Sequence, residues 1–186
     1  MAFQQAVNRY QAAGVIGDIV RDGATRGQSV AVDDKGGIIG YAATFVGDGT
    51  NTVVMGGTGA FAGIVANTKT APLYGTAAEG TLAPSLAIQP HQQCEVVNMC
   101  SGLVVKNTNT SAYVGNIGKI GSQVWFNQTD GAIYIPTEAE QTAGVTVGYT
   151  MIAGARTVVY NVEPATATGQ NLAVIELTLA ETVLGA

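Results

Sequence analysis

The sequence predicts an all-β protein, folded as a jelly-roll-like β-sandwich or barrel. Three observations support this class. Apolar and polar residues alternate with a period of two, clusters of turn residues interrupt the alternation at short intervals, and glycine supplies 25 of the 186 residues. Many short strands separated by turns are typical of sandwiches and barrels. At this length we expect a single β domain, spanning residues 14–186.

Residues 1–13 form a separate segment before that domain. Phe3, Val7 and Tyr10 would lie on one face of a helix, which Gly14 could end. An extended arm that packs on a neighbouring subunit is an equally good interpretation. The sequence therefore predicts either a short helix or an arm at residues 1–13.

Two β-hairpins are predicted from turn residues between β-prone runs. Ser29–Val32 leads through Asp-Asp-Lys-Gly-Gly into Ile38–Tyr41, and Val124–Phe126 leads through Asn-Gln-Thr-Asp-Gly into Ala132–Ile135. An Asp-Gly pair between two such runs is a strong hairpin signal, because glycine adopts the positive φ that a tight hairpin turn requires.

Other strands are predicted from alternation and from short apolar runs. Apolar residues at every second position from Val145 to Met151 predict a strand with one buried face. Residues 68–92 hold three of the five prolines and little periodicity, so we expect a long excursion there that has a function or forms an interface. Further candidate strands are 15–21, 42–46, 51–55, 61–67, 93–106, 156–162 and 171–179.

Charged side chains are scarce and unevenly placed. They make up 11% of the chain, against about 25% in ordinary soluble domains. Binding to nucleic acid needs clustered lysine and arginine, which the chain lacks, so a basic protein partner is the better expectation. The net charge of −5 lies in the last third, where a single Arg156 accompanies six acidic residues: Asp130, Glu138, Glu140, Glu163, Glu176 and Glu181.

The chain shows neither an apolar run long enough to span a membrane nor a secretory signal at its start. We therefore expect synthesis in a cytoplasm and no membrane partner. Cys94 and Cys100 would lie about 20 Å apart on an extended strand, too far for a disulfide, so free thiols are predicted. His91 is the lone histidine, and with these cysteines and Glu95 it lacks the spacing of a metal site. No metal is expected.

Two motifs raise the possibility of an enzyme. The run from Gly57 to Ala62, GTGAFA, matches a dinucleotide-binding fingerprint, and Glu79 lies near the spacing of the ribose-binding acid. The residues after it do not suggest a helix, so a glycine-lined turn between strands is the better interpretation. The carboxylate pairs Asp33–Asp34 and Glu138/Glu140 lie beside turn signals and are interpreted as solvated charges. We expect no catalytic residue and no cofactor.

Trp125 and Phe126 stand out in a chain with only 6% aromatic residues. A place in the core is the favoured interpretation for both, and a binding hot spot is the alternative.

Several stretches resemble the structural cement (decoration) proteins of tailed bacteriophages, over roughly residues 14–180. The most specific stretch is VGNIGKIGSQVWFNQTDGAIYI; the others are GIIGYAATFV, VVMGGTGAFAGIVAN, SLAIQPHQQCEVVNMCSGLVVKN and NLAVIELTL. The resemblance implies a jelly-roll-like domain that binds the outside of an icosahedral capsid. It also implies a small homo-oligomer, a homodimer or homotrimer, made in the host cytoplasm, that stabilises contacts between capsomers of the major capsid protein.

Since such proteins act through surfaces, the resemblance transfers no catalytic residue, and no small-molecule substrate is expected. The candidate contact regions are the N-terminal segment with Phe3, Arg9 and Tyr10, the 68–92 excursion with Leu73 and Tyr74, and the acidic last third. Two other functions remain open: a tail, fibre or cell-surface module that binds a receptor or glycan, and, on GTGAFA alone, a dinucleotide-binding enzyme.

Overall fold

The computed structural model of the chain describes residues 15–67, 87–109, 120–144, 147–161 and 172–183. These residues form a β domain with one short helix. The elements, in chain order, are β1 (Arg26–Val32), β2 (Gly37–Ile38), β3 (Ala42–Phe45), β4 (Thr52–Met55), β5 (Phe61–Val65), β6 (Ala87–Ile88), β7 (Gln93–Lys106), β8 (Gln123–Asn127), β9 (Ile133–Tyr134), α1 (Glu138–Ala143), β10 (Tyr149–Asn161) and β11 (Leu172–Val183).

Nine strands of the described residues form one sheet in the order β1-β4-β3-β5-β7-β11-β10-β8-β9, and β2 pairs separately with β6. β1 pairs with both β4 and β7, so the first five strands of this order close into a barrel. The 14-residue β7 pairs with β1 and β5 along its first half and with β11 along its second half. The predicted all-β class is confirmed.

Two clusters of buried side chains form the core. One packs within the barrel and includes Val30, Val53 and Val65. The other packs beneath the second half of the sheet and includes Leu103 and Phe126. β7 contributes to both clusters from its opposite faces, with Val96 in the first cluster and Val97 in the second. Phe126 is fully buried, as predicted.

Most predicted strands are present, with two local differences. The hairpin predicted from Ser29–Val32 and Ile38–Tyr41 is wrong, because β1 pairs with β4 and β7 while β2 pairs with β6. Residues 15–21 form a turn and an extended stretch held to β7 by a single bridge from Ile19 to Leu103. The positive φ of Gly17 interrupts the extended backbone there. The strand predicted at 38–41 ends at Ile38, because a turn in which Tyr41 N donates to Ile38 O (3.2 Å) follows it.

The Asp-Gly hairpin of β8 and β9 forms as predicted and packs on the barrel. Gly131 has a φ of 79°, and its N–H donates to Asn127 O (2.8 Å) to close the turn. Gly57 N donates to Gln128 O at 2.7 Å, and Ala42 N donates to Gly131 O at 2.8 Å. Only glycine allows so close an approach of two backbones, so these contacts fix the orientation of β8 and β9.

Helix α1 was not predicted; the sequence indicated turn charges at Glu138 and Glu140. Thr137 is its N-cap: the side chain accepts from Glu140 N, and the Glu140 side chain accepts from Thr137 N, which makes a capping box. None of its six residues is buried. Polar contacts therefore attach α1 to the domain.

Candidate interaction surface

The residues predicted as protein contacts, Phe3, Arg9, Tyr10, Leu73 and Tyr74, all lie outside the described residues.

The points at which these two segments join the domain are nevertheless close together. Asn67, the last described residue before the 68–86 stretch, donates its N–H to Gly17 O at 2.9 Å. The predicted N-terminal contact segment and the excursion therefore start from neighbouring positions beside β7.

The GTGAFA motif forms a turn between strands. β4 ends at Met55, and Phe61 begins β5, so a strand follows the glycines where a dinucleotide fold would require a helix. Both strands pair with β3. The interpretation as a glycine-lined turn is confirmed, and the dinucleotide site is wrong, because strand β5 begins where a helix would have to begin.

The two cysteines are free, as predicted. Burial raises the pKa of Cys94 to about 11 and also raises that of Cys100, so both thiols are protonated at neutral pH. His91 lies 3.2 Å from Asp34, with both side chains exposed. Among the described residues, no group of three or more histidine, cysteine or acidic side chains is placed to hold a metal ion. The described part of the chain also contains no helix long and apolar enough to span a membrane.

The apolar stripe predicted to be the buried face of a strand lies on the outer face of β10. Val147, just before the strand, is 99% exposed, and Tyr149 and Met151 are partly exposed. The intervening Thr150 is instead 6% exposed, and its hydroxyl accepts from Gln128 Nε2 at 2.9 Å. The sequence pattern therefore identified a strand and assigned its two faces the wrong way round.

A row of large side chains crosses three strands on this outer face. Trp125 of β8 lies opposite Met151 of β10 and opposite Tyr134 of β9. The rings of Tyr134 and Tyr149 lie 4.6 Å apart. We call Trp125, Tyr134, Val147, Tyr149 and Met151 the outer aromatic surface. The prediction that Trp125 belongs to the core is wrong, because alternation along β8 sends Phe126 inward and Trp125 outward.

The indole nitrogen of Trp125 is the one buried side-chain nitrogen or oxygen atom among the described residues that has no hydrogen-bond partner. Leaving such a donor unpaired costs roughly 1–3 kcal/mol, so native proteins rarely do so without a reason. The outer aromatic surface thus combines apolar side chains at the protein surface with an unsatisfied donor.

Helix α1 borders this surface through Glu140. Its carboxylate accepts from Tyr134 Oη (2.5 Å), Thr137 N (2.7 Å), Thr137 Oγ1 (2.9 Å) and Asn109 Nδ2 (3.1 Å). Burial alone would raise the pKa of Glu140, but these hydrogen bonds outweigh it and lower the pKa. Burial and the bond to Glu140 raise the pKa of Tyr134. Glu140 is therefore an ionised anchor for α1 at neutral pH.

The acidic residues of the last third are spread over several elements. Glu176 of β11 forms an ion pair with Arg156 of β10 at 3.1 Å. Asp130 accepts from Ala132 N within the β8–β9 turn at 2.9 Å. Among the described side chains of the last third, α1 alone carries two acidic residues in one turn, and it has no basic residue. α1 therefore supplies negative charge beside the outer aromatic surface.

A cleft of about 480 Å³ opens elsewhere on the domain. Its walls come from β2, β6, the end of β4 and the β8–β9 turn, and include Lys35, Ile38, Met55, Pro90 and Asp130. Its apolar lining comes mainly from the β2–β6 pair and from Met55 of β4.

Comparison with known proteins shows what the chain is similar to. It is similar in fold to a chain from a structure described as the capsid of Myoviridae Phage XM1, with a TM-score of 0.58 and 16% identity over 96% of this chain and 98% of that one. No curated protein matches the sequence. The family model of structural cement proteins (E217 gp24/Pam3 gp6) matches residues 3–178. Because that match covers nearly the whole chain, the protein belongs to the structural cement protein family, which indicates a structural role in the virion capsid.

Proposed function

We propose that the protein is a cement protein that binds the outer surface of an icosahedral phage capsid and stabilises contacts between capsomers of the major capsid protein. The family match over residues 3–178 is the observation that carries this proposal. Two features of the fold agree with it: the barrel is closed, and large apolar side chains of the described residues are placed at the surface.

The stabilisation arises from repetition. Each copy binds at a junction between capsomers that forms in the expanded shell, and many identical weak contacts together oppose separation of the capsomers. The protein acts as a homodimer or homotrimer, made in the host bacterial cytoplasm and recruited from there. Free, protonated thiols are compatible with that reducing compartment. No step in this function is catalytic.

Co-sedimentation with expanded shells that lack this protein tests the proposal. We expect binding that saturates at a fixed number of copies per shell, and a higher temperature or denaturant concentration for shell disruption once the sites are filled. Unexpanded shells are the matched control, because the proposed junction forms only on expansion. Absence of saturable binding to expanded shells would overturn the proposal.

A second candidate function is favoured by the outer aromatic surface. Receptor- and glycan-binding modules use exposed aromatic rings, and Trp125 and Tyr149 lie on one face here. The two functions separate in one assay, in which labelled protein is offered to host cells and to expanded shells. Saturable binding to cells that a soluble host glycan displaces, without binding to shells, would support the second candidate.

A further inference from the structure

We infer that the outer aromatic surface is the face that contacts the capsid shell, through an extended apolar segment of the shell subunit whose carbonyl oxygen accepts the indole N–H of Trp125. This inference rests on the proposed cement function and identifies the contact surface within it.

The inverted faces of β10 are the first argument. β10 buries Ile152 on its inner face, but at the start of the strand a domain selected only for its own stability would bury Tyr149 or Met151 and expose Thr150. Here Thr150 is buried with its hydroxyl bonded, while Tyr149 and Met151 face outward and Val147 is fully in solvent. An apolar stripe that the domain does not bury is the usual mark of a surface that another molecule covers.

The unsatisfied donor is the second argument. Trp125 Nε1 is enclosed and has no acceptor among the described residues. Met151 lies opposite it on the neighbouring strand, and a methionine side chain changes conformation at little cost. A partner that displaces Met151 and offers a carbonyl oxygen would satisfy the N–H, which gives the contact a directional component as well as an apolar one.

Charge favours a shell subunit over a second copy of this chain as the molecule that binds the outer aromatic surface. The rim of the surface is α1, with Glu138 and Glu140 in its first turn and no basic residue. A contact between two copies through this surface would bring together two faces that both carry an acidic rim, so neither copy would offer the basic complement. A neutral or basic segment of a different protein meets no such repulsion.

Two substitutions test the surface without removing the core. Trp125→Phe keeps an aromatic ring and removes the N–H, and Val147→Glu adds a charge at a side chain that is already 99% exposed. Val46→Glu is the matched control, since Val46 is 49% exposed and lies beside β3 on the barrel. Circular dichroism and thermal unfolding of each variant establish that it is folded.

The measurement is the dissociation constant for expanded, undecorated shells, obtained by co-sedimentation of the full chain. We expect Trp125→Phe and Val147→Glu each to weaken binding by about 10-fold, the effect of removing a central aromatic contact or opposing it with charge. Val46→Glu should change binding by less than about 2-fold. Equal losses in Val46→Glu and Val147→Glu would overturn the inference, because they would reflect net charge alone.

Failure of the inference is distinguishable from failure of the proposed function. If the unmodified protein does not bind shells, the cement function itself is wrong. If it binds and both outer-surface variants bind equally well, the function stands and this surface is not the contact. In the remaining case the surface binds a second copy of this chain, and sedimentation velocity identifies it. If Trp125→Phe dissociates a homo-oligomer and leaves shell binding per copy unchanged, the inference is overturned.

Raman spectroscopy tests the proposed hydrogen bond of the Trp125 indole N–H directly. The chain contains a single tryptophan, so ring-deuterated tryptophan incorporated into this protein alone gives Raman bands distinct from those of the shell. The indole N–H bending mode should shift to the hydrogen-bonded position when the protein binds shells. An unshifted mode in a saturated complex would contradict the assignment of an acceptor to Trp125.

Discussion

Replacing Glu140 by glutamine tests whether one carboxylate holds α1 to the domain. α1 buries none of its residues, so apolar packing contributes little to its attachment. The carboxylate accepts four hydrogen bonds, from Tyr134, Thr137 and Asn109. Three of these bonds are to Oε2 and one, from Tyr134, is to Oε1. A glutamine carbonyl oxygen in the place of Oε2 accepts the three as neutral bonds, and its NH₂ group meets Tyr134 Oη, so the charge-assisted bond from Tyr134 is lost.

The expected cost follows from these contacts. A hydrogen bond to a charged group contributes roughly 1.5–3 kcal/mol when it is buried, against about 0.5–1.5 kcal/mol for a neutral one. Because Glu140 is partly exposed, solvent screening reduces the difference for each bond. We expect Glu140→Gln to lower the free energy of unfolding by about 1–2 kcal/mol, which is roughly 2–8 °C in Tm for a domain of this size.

The pH dependence of Tm provides a second test of the role of Glu140. The folded state lowers the pKa of Glu140 below its ordinary value of 4.5, so the stabilisation is present above that value and disappears as the pH falls through the lowered pKa. Tm should be measured from pH 7 to pH 3, with Glu95→Gln on β7 as the matched control because Glu95 is an exposed glutamate. The unmodified protein and Glu140→Gln should differ at pH 7 and converge in acid. Equal Tm values for the two variants at pH 7 would refute the reasoning.

Three further predictions concern the fold. In a urea titration, Gly131→Ala should lower the free energy of unfolding by more than about 2 kcal/mol, because the added Cβ would overlap the barrel backbone and the φ is strained for alanine. Gly121 also has a positive φ but lies in open space, so Gly121→Ala should cost only about 1 kcal/mol. Phe126→Ala should cost about 3–5 kcal/mol, measured by urea unfolding, since Phe126 is fully buried; a cost below 1 kcal/mol would contradict its place in the core. Cys94 should react with a disulfide reagent at pH 8 far more slowly in the folded protein than in urea, because burial raises its pKa to about 11; equal rates would show that the thiol is accessible.

The sequence predicted those parts of the fold that short local motifs specify. The Asp-Gly turn at 130–131 specified a hairpin, because few residue pairs adopt that turn, and period-two alternation located most strands. The assignment of faces failed at β10, because alternation between Tyr149 and Thr150 states that two faces differ and does not state which one meets the core. α1 was missed because a helix without buried residues has no apolar periodicity; its sole signal was the spacing of Thr137 and Glu140 in the capping box.

The outer aromatic surface was not predicted, because the sequence does not state which face of a strand meets the core. Trp125 and Phe126 are adjacent and equally apolar in sequence, and strand geometry sends one inward and the other outward. Only the pairing of β8 with β9 and β10 brings Trp125, Tyr134 and Met151 into one row. Non-local pairing of this kind is set by the whole sheet, and no short motif records it.

The inversion of β10 separates the residues that stabilise the domain from those that we infer it uses for binding. Phe126 and Ile152 face the core, and truncation of either would destabilise the protein. The outward face is formed by Val147, Tyr149 and Met151. Because the side chain of Val147 is 99% exposed, polar substitution there should leave Tm unchanged. We infer that Val147 acts in contact with another molecule because it adjoins the other large apolar side chains of the outer aromatic surface. Shell binding that decreases without any change in Tm would therefore be the signature of this surface.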